Sequence, residues 1–426
     1  MFTTTKKRVL NLLFISTITL SSTSLLFAEV LKTPHDQEPI GTVEQLYDGK
    51  LMPDLQASTF RNIDRLYPTA IVQHDPDNVR ELPYAVVQVE DLQFQSGDDS
   101  FDLYDYININ RVAGLIAIKD GKIYYEDYQL GNHNATRWMS MSVVKSITAT
   151  LIGIALEEGL IKDIDDPIVT YLPDFKGSSY DGVTVRQLLQ MTSGVAWNET
   201  YTDPNSDRRA MLALQNAQEP GAILQLMQQL PRAAEPGTRW NYSTGETHVA
   251  GALVRAATGM PVSQYLSERI WKRAGMESDA SWWLESPDGL EVGGSGLQAV
   301  LRDYARFGLF LLENGNVDGE QLLPEYWLKE AGSPKIVNGE TVQYGYMLWP
   351  VEEAEGTINE GAFTAEGIFG QQIYINPQEG VVIAAWGAQP KPTGRETLDS
   401  YAFFAAMTES MKQLADHPEN RSSLSK

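Results

Sequence analysis

An α+β fold, with a sheet assembled from both ends of the chain and a mostly helical segment inserted between them, is what this 426-residue sequence predicts. Three observations lead there. Val112–Lys119 and Lys122–Tyr128 are runs of β-branched and aromatic residues around Asp120-Gly121, a pair that accepts the positive φ angles of a two-residue hairpin turn. From Ser142 to Ala274 apolar residues recur at helical rather than alternating spacing. Beyond Gly367 the pattern returns to strands, with Gln371–Asn376 and Val381–Trp386 on either side of a Pro377–Gly380 turn.

The elements follow in order. Lys6, Lys7 and Arg8 precede an apolar run from Val9 to Phe27 that ends in Ala28 before Glu29, so residues 1–28 read as a cleaved signal peptide. The Ser and Thr content of that run speaks against the rival reading, an uncleaved membrane anchor. An exported protein, periplasmic or secreted, is expected. Residues 29–75 are Pro-dotted and read as an extended N-terminal arm, lying on the body or partly mobile. The sheet domain is expected to be discontinuous, 76–159 and 290–416, around a helical domain at 160–289, with 417–426 as a tail. Helices are expected at 142–158, 185–191, 209–218, 222–229, 247–258 and 262–274, with Gly159, Gly194, Gly259 and Gly275 at C-terminal positions. A last amphipathic helix spans about 396–414.

Composition narrows the function. The chain carries 33 Lys and Arg against 56 Asp and Glu, a formal charge of −23, and loss of the three basic residues in 1–28 deepens it to −26. Such a surface repels nucleic acid and anionic lipid, so neither is expected as a partner, nor is a membrane once the signal is removed. A small-molecule substrate is expected instead, and no oligomeric state follows from the sequence. There is no cysteine, hence no disulfide. The five histidines lie in no Gly-x-Ser-x-Gly or His-Glu-x-x-His setting, and no glycine-rich phosphate loop occurs. Neither a metal nor a cofactor is expected.

The chemistry begins at Ser142-Val143-Val144-Lys145, which puts a hydroxyl at a helix start and an amine one turn later on the same face. An amine held uncharged there can accept the serine proton. The spacing alone recurs at Ser423–Lys426 in the polar tail, so context must carry the reading. A Pro236-Gly237 turn leads to Tyr242 just before a helix, and Gly367-Ile368-Phe369-Gly370 enters a strand. Taken singly, Tyr242 reads as a packing residue and the two glycines as a tight strand entry.

Taken together, over about residues 110–390, these segments resemble the serine hydrolases of the β-lactamase and penicillin-binding superfamily, nearest in form to its 6-aminohexanoate-dimer (nylon-oligomer) hydrolase branch. Asp165-Asp166-Pro167 with Tyr171-Leu172-Pro173, Thr184–Leu189 with Met191–Gly194, and Gly293-Gly294-Ser295-Gly296-Leu297 belong to the same ordered set. The resemblance implies a β-lactamase/transpeptidase-like antiparallel sheet flanked by helices. It implies Ser142 as acylated nucleophile, Lys145 as proton acceptor and Tyr242 as shuttle to the leaving group. The backbone N–H groups of Ser142 and Ile368 would form the oxyanion hole.

A neutral Lys145 at physiological pH needs a depression of about three pH units, roughly 4 kcal/mol, which burial favours. In the alternative scheme a charged Lys145 stabilises a tyrosinate at Tyr242. Two departures from the family pattern bear on substrate. Thr244 stands where the second motif commonly ends in Asn, and Ala365-Glu366-Gly367 where many members have Lys/His-Thr-Gly. The cation that would bind a β-lactam or peptide carboxylate is absent from that motif. Residues Trp197–Asp207 resemble the branch's substrate-covering loop, making Tyr201, with Thr244, Gly367 and Phe369, a candidate substrate contact. Tyr344, Tyr346 and Trp349 could line a cleft or pack in the core. The expectation is an amidase or esterase acting on a linear substrate. The alternatives are a β-lactamase, a D-alanyl carboxypeptidase or esterase of the penicillin-binding type, or an inactive ligand-binding homologue.

Overall fold

The structure is a computed structural model that describes residues 35–352, 355–393 and 397–422. The signal-like segment and the second Ser-x-x-Lys at 423–426 lie outside the described residues. The principal sheet has six antiparallel strands in the order Trp349–Pro350, Phe363–Gly367, Gln371–Asn376, Val381–Gly387, Val112–Lys119 and Lys122–Tyr128. Strands from before and after the helical segment therefore pair directly, Val381–Gly387 lying beside Val112–Lys119. At the first hairpin Asp120 and Gly121 both take positive φ, 48° and 75°, as an Asp-Gly turn permits.

Alternation along the strands builds two cores, one on each face. Leu115, Ala117, Ile383 and Tyr374 pack with Phe403, Phe404 and Met407 of the C-terminal helix Ser400–Ala415. Ile116, Ile118, Ile373 and Val382 face the larger core, which contains the helices Val143–Glu157 and Leu301–Leu312. That core continues into the helical segment, where Val185–Leu189, Asp207–Ala217, Ala222–Gln229, Thr244–Thr258 and Val262–Leu266 lie close to the expected spans. Val143–Glu157 packs along Thr244–Thr258.

A second, four-stranded sheet runs Thr69–Val72, Ala280–Trp283, Leu297–Val300 and Arg137–Met139. The sequence reading has no counterpart to it, because strands of three or four residues are too short to display a period. The N-terminal segment also differs from the extended arm expected. Thr42 caps a helix at Val43–Tyr47 with a reciprocal Gln45 bond, Pro53–Phe60 forms another, and Thr69–Val72 joins the second sheet. The reason is apolar content: Val43, Leu46, Tyr47, Phe60 and Ile63 all enter the main core. Phe60 packs edge-on to Trp138 at 5.4 Å and beside Phe369 at 5.2 Å. Among the described residues no helix is long and apolar enough to cross a membrane.

Candidate active site

Ser142 is delivered by the short strand Arg137–Met139, whose end is tied to the sheet by a Ser140 N–H to Leu297 carbonyl bond of 2.8 Å. The chain then turns sharply. Met141 adopts φ of 44°, a left-handed conformation that costs a side-chain-bearing residue about 1 kcal/mol. Ser142 is helical in backbone angle and opens Val143–Glu157. That helix is buried from Val143 to Ala155, so its polar groups must find partners inside the protein. Ser146 donates to the Met347 carbonyl at 2.6 Å and Thr148 to the Gly293 carbonyl at 2.8 Å.

Lys145, only 1% exposed, is the exceptional member of that helix. Its Nζ donates to Thr244 Oγ1 at 2.9 Å and to the Gly294 carbonyl at 2.8 Å. Gly294 is required for that approach, because a Cβ there would stand 3.0 Å from Nζ and 2.8 Å from Thr244 Cγ2. Burial lowers the Lys145 pKa from the ordinary lysine value to about 7; Glu199 opposes that shift and Arg208 reinforces it.

Tyr242 arrives from the helical segment. Asn241 pins the approach through its N–H to the Met191 carbonyl at 2.9 Å and its amide to the Trp197 carbonyl at 3.1 Å. Ser243 then caps Thr244–Thr258 by accepting from the Glu246 N–H. The Tyr242 ring lies 5.3 Å from Lys145 Nζ, stacks on Trp349 at 5.8 Å and meets Tyr344 edge-on at 6.0 Å. The Ser142 hydroxyl is among the groups around its phenol. Burial and the nearby Glu199 and Glu366 raise its pKa above the ordinary tyrosine value, while Ser142 pulls it the other way.

The strand Phe363–Gly367 closes the other side. A Cβ on Gly367 would lie 2.7 Å from the Ser140 carbonyl and 2.9 Å from the Ser142 nitrogen, so only glycine lets this strand end approach Ser142 so closely. Phe369 and Gly370 take positive φ of 68° and 87° in the turn that follows. A cleft of about 930 Å³ opens over this junction, with Ser142, Tyr201, Tyr242, Trp349 and Ile368 in its walls.

Ser142, Tyr201, Tyr242, Gly367, Ile368 and Phe369 thus share one cleft, and Lys145 lies just beneath it. Phe369 is buried against Phe60 and borders the cleft mainly at its turn. Thr244 is placed differently from a substrate contact. It is 2% exposed, off the cleft wall, with its hydroxyl between Lys145 and Glu199. Trp349 is a wall residue, whereas Tyr344 packs behind it at 4.7 Å and Tyr346 accepts from Arg186 elsewhere. Ala365 points into the core, and Glu366 faces the cleft, its carboxylate accepting from Tyr401 at 2.5 Å and Thr364 at 2.8 Å.

Three contributors escaped the sequence reading. Glu199 and Gly294 lie inside segments already singled out, but nothing local marks a carboxylate that takes the Thr244 hydroxyl or a carbonyl that takes a Lys145 N–H. The third is the N-terminal helix. Tyr47 lies beside Tyr201 at 5.4 Å and beneath the Arg208 guanidinium at 4.8 Å, and Asp48 pairs with Arg209 at 2.9 Å, bracing the loop that carries Tyr201.

Comparison with known proteins agrees with this architecture. The beta-lactamase family model matches residues 110–407. The 6-aminohexanoate-dimer hydrolase of Paenarthrobacter ureafaciens is 26% identical over 352 residues, 79% of this chain and 86% of that protein. A beta-lactamase of Pseudomonas fluorescens is 28% identical over 283 residues, 62% and 71% of the two chains. Among solved structures, a Bacillus anthracis protein provisionally described as a 6-aminohexanoate-dimer hydrolase superposes with a TM-score of 0.74. It is 25% identical and covers 88% of this chain and 98% of its own. With well over half of its length matched and the antiparallel sheet and flanking helices in place, the chain belongs to the beta-lactamase family of serine hydrolases.

Proposed function

We propose that the protein hydrolyses an amide or ester bond of a linear small molecule through an acyl-enzyme on Ser142. The observation that carries this reading is a fully buried lysine, held by Thr244 and the Gly294 carbonyl and lowered by burial to about 7, one helical turn from a serine that shares a cleft with Tyr242. At neutral pH a large fraction of Lys145 is the free amine. It takes the Ser142 proton as Oγ bonds to the substrate carbonyl carbon, and the carbonyl π electrons move to oxygen. The oxyanion lies between the N–H groups of Ser142 and Ile368, brought together by the close Gly367 contact. Tyr242 gives its proton to the departing nitrogen or oxygen and regains one from the Lys145 ammonium. Water then attacks the acyl carbon by the same steps in reverse. A Lys145 depressed to about 7 and a Tyr242 raised above its ordinary value favour this scheme over a tyrosinate base.

The substrate class follows from likeness and from the wall. The Paenarthrobacter relative is a 6-aminohexanoate-dimer hydrolase, and the Glu366 carboxylate would repel a substrate carboxylate placed beside Gly367. The second reading, β-lactam hydrolysis, draws on the Pseudomonas fluorescens relative. The test is a panel of linear amides, activated esters and nitrocefin, run with wild type and Ser142→Ala, plus mass analysis after a fluorophosphonate. An adduct on the Ser142 peptide and loss of turnover in Ser142→Ala are expected. Full activity in that variant without an adduct would sink the mechanism, and saturable nitrocefin turnover above that of the amides would favour the second reading.

A further inference from the structure

Thr244 is bonded on two sides by groups of opposite character. On one side Glu199 accepts from the Thr244 hydroxyl at 2.5 Å and from its N–H at 2.9 Å, and the Trp197 indole N–H holds the same carboxylate. On the other side stands Lys145 Nζ at 2.9 Å. A carboxylate can only accept, so the single hydroxyl proton of Thr244 points to Glu199 and its lone pairs face the amine.

That polarity matters because of what a neutral lysine has to offer. It carries two N–H bonds and one lone pair. Thr244 Oγ1 and the Gly294 carbonyl take the two N–H bonds. The lone pair is left for the serine one turn earlier on the same helix. If the Thr244 hydroxyl turned round, its proton would occupy that lone pair and the base would be blocked. Nothing in Thr244 itself prevents this, since a hydroxyl donates or accepts with equal ease.

We propose that Glu199 is a positioning residue which, by fixing the direction of the Thr244 hydroxyl, keeps the lone pair of Lys145 free to receive the Ser142 proton. The inference rests on the serine-hydrolase reading above. It also accounts for a motif whose third position is a hydroxyl residue rather than an amide, since a threonine can relay a carboxylate's polarity only if the carboxylate is present. The groups facing Lys145 are Glu199 from the 197–206 loop, Arg208 from helix Asp207–Ala217, Tyr242 ahead of Thr244–Thr258, and Ser142 on its own helix. Of these, Glu199 raises the lysine pKa and Arg208 lowers it.

The simplest rival is that Glu199 merely anchors the first turn of Thr244–Thr258. Glu199→Gln is the first arm, because it keeps the size and a carbonyl acceptor but adds an amide donor. The expected result is a fall in kcat of about 10- to 100-fold. Loss of the carboxylate also removes the interaction that raises Lys145, so the acid limb of kcat/KM moves to lower pH. That shift follows the charge and occurs under either role, so the coupling between Glu199 and Thr244 is what separates them. A double-mutant cycle supplies the second arm. In Thr244→Val, which cannot relay, a further Glu199→Gln change should add little, whereas Thr244→Ser should regain much of the activity lost in Thr244→Val. Glu199→Gln with wild-type kcat, or fully additive losses in the cycle, would overturn the proposal. Fluorophosphonate labelling of Ser142 in every variant keeps this apart from failure of the hydrolase reading, in which Ser142 is not labelled even in wild type.

Discussion

Replacing Lys145 with methionine should make the protein more stable at neutral pH while abolishing turnover, and the gain should vanish in alkali. The amine is fully enclosed and burial pushes its pKa down to about 7, whereas the unfolded chain holds it near 10.4. Folding near pH 7 therefore strips a proton that the unfolded chain retains, at a cost of about 4 kcal/mol. The sign follows from proton binding. Between pH 7 and 10.4 the unfolded state binds more protons, so wild-type stability rises with pH across that window and levels off above it. Methionine carries no such cost, but its introduction leaves the Gly294 carbonyl without its lysine donor, a loss of about 1–3 kcal/mol. Thr244 keeps its bond to Glu199. Lys145→Met should thus be about 1–3 kcal/mol more stable than wild type near pH 7, and the difference should shrink by about 3 kcal/mol by pH 10.

Urea unfolding of both proteins at several pH values measures this, and the comparison cancels every other titrating group. A stability difference that does not change between pH 7 and 10 would falsify the assignment of a neutral buried lysine.

Two further outcomes are expected. Gly367→Ala would push the strand end away from Ser142, since its Cβ would fall 2.7 Å from the Ser140 carbonyl and 2.9 Å from the Ser142 nitrogen. Its kcat should drop about 100-fold in a protein that still unfolds cooperatively, and near-normal kcat would argue against the oxyanion role of the adjacent Ile368. Phe60→Ala should cost about 3–5 kcal/mol in chemical denaturation, because its fully buried ring bridges Trp138 and the Phe369 turn. A loss below about 1 kcal/mol would mean that the N-terminal segment is not part of the working core.

Legibility followed the range of the interaction that carries each feature. The Asp120-Gly121 hairpin and the buried helix after Ser142 are written in neighbouring residues, and the structure has them within a residue or two of the expected limits. The second sheet was not legible, although it aims Ser142, because its strand Arg137–Met139 has three residues and no period of its own. Thr244 reads in sequence as a substituted substrate contact, and the fold turns it inward instead. The Glu199 carboxylate, 45 residues earlier, claims its hydroxyl.

By itself the sequence determined which groups are available and how they are spaced along one helix. Ser142 and Lys145 must share a helical face because backbone geometry alone brings residues three apart together. The surroundings of that pair were decided only by the tertiary structure. The Lys145 pKa comes from exclusion of water by segments distant in the chain, and its two acceptors come from Thr244 and Gly294, 99 and 149 residues onward. Desolvation and the direction of a hydroxyl are properties of an enclosed volume, which no local pattern of residues encodes.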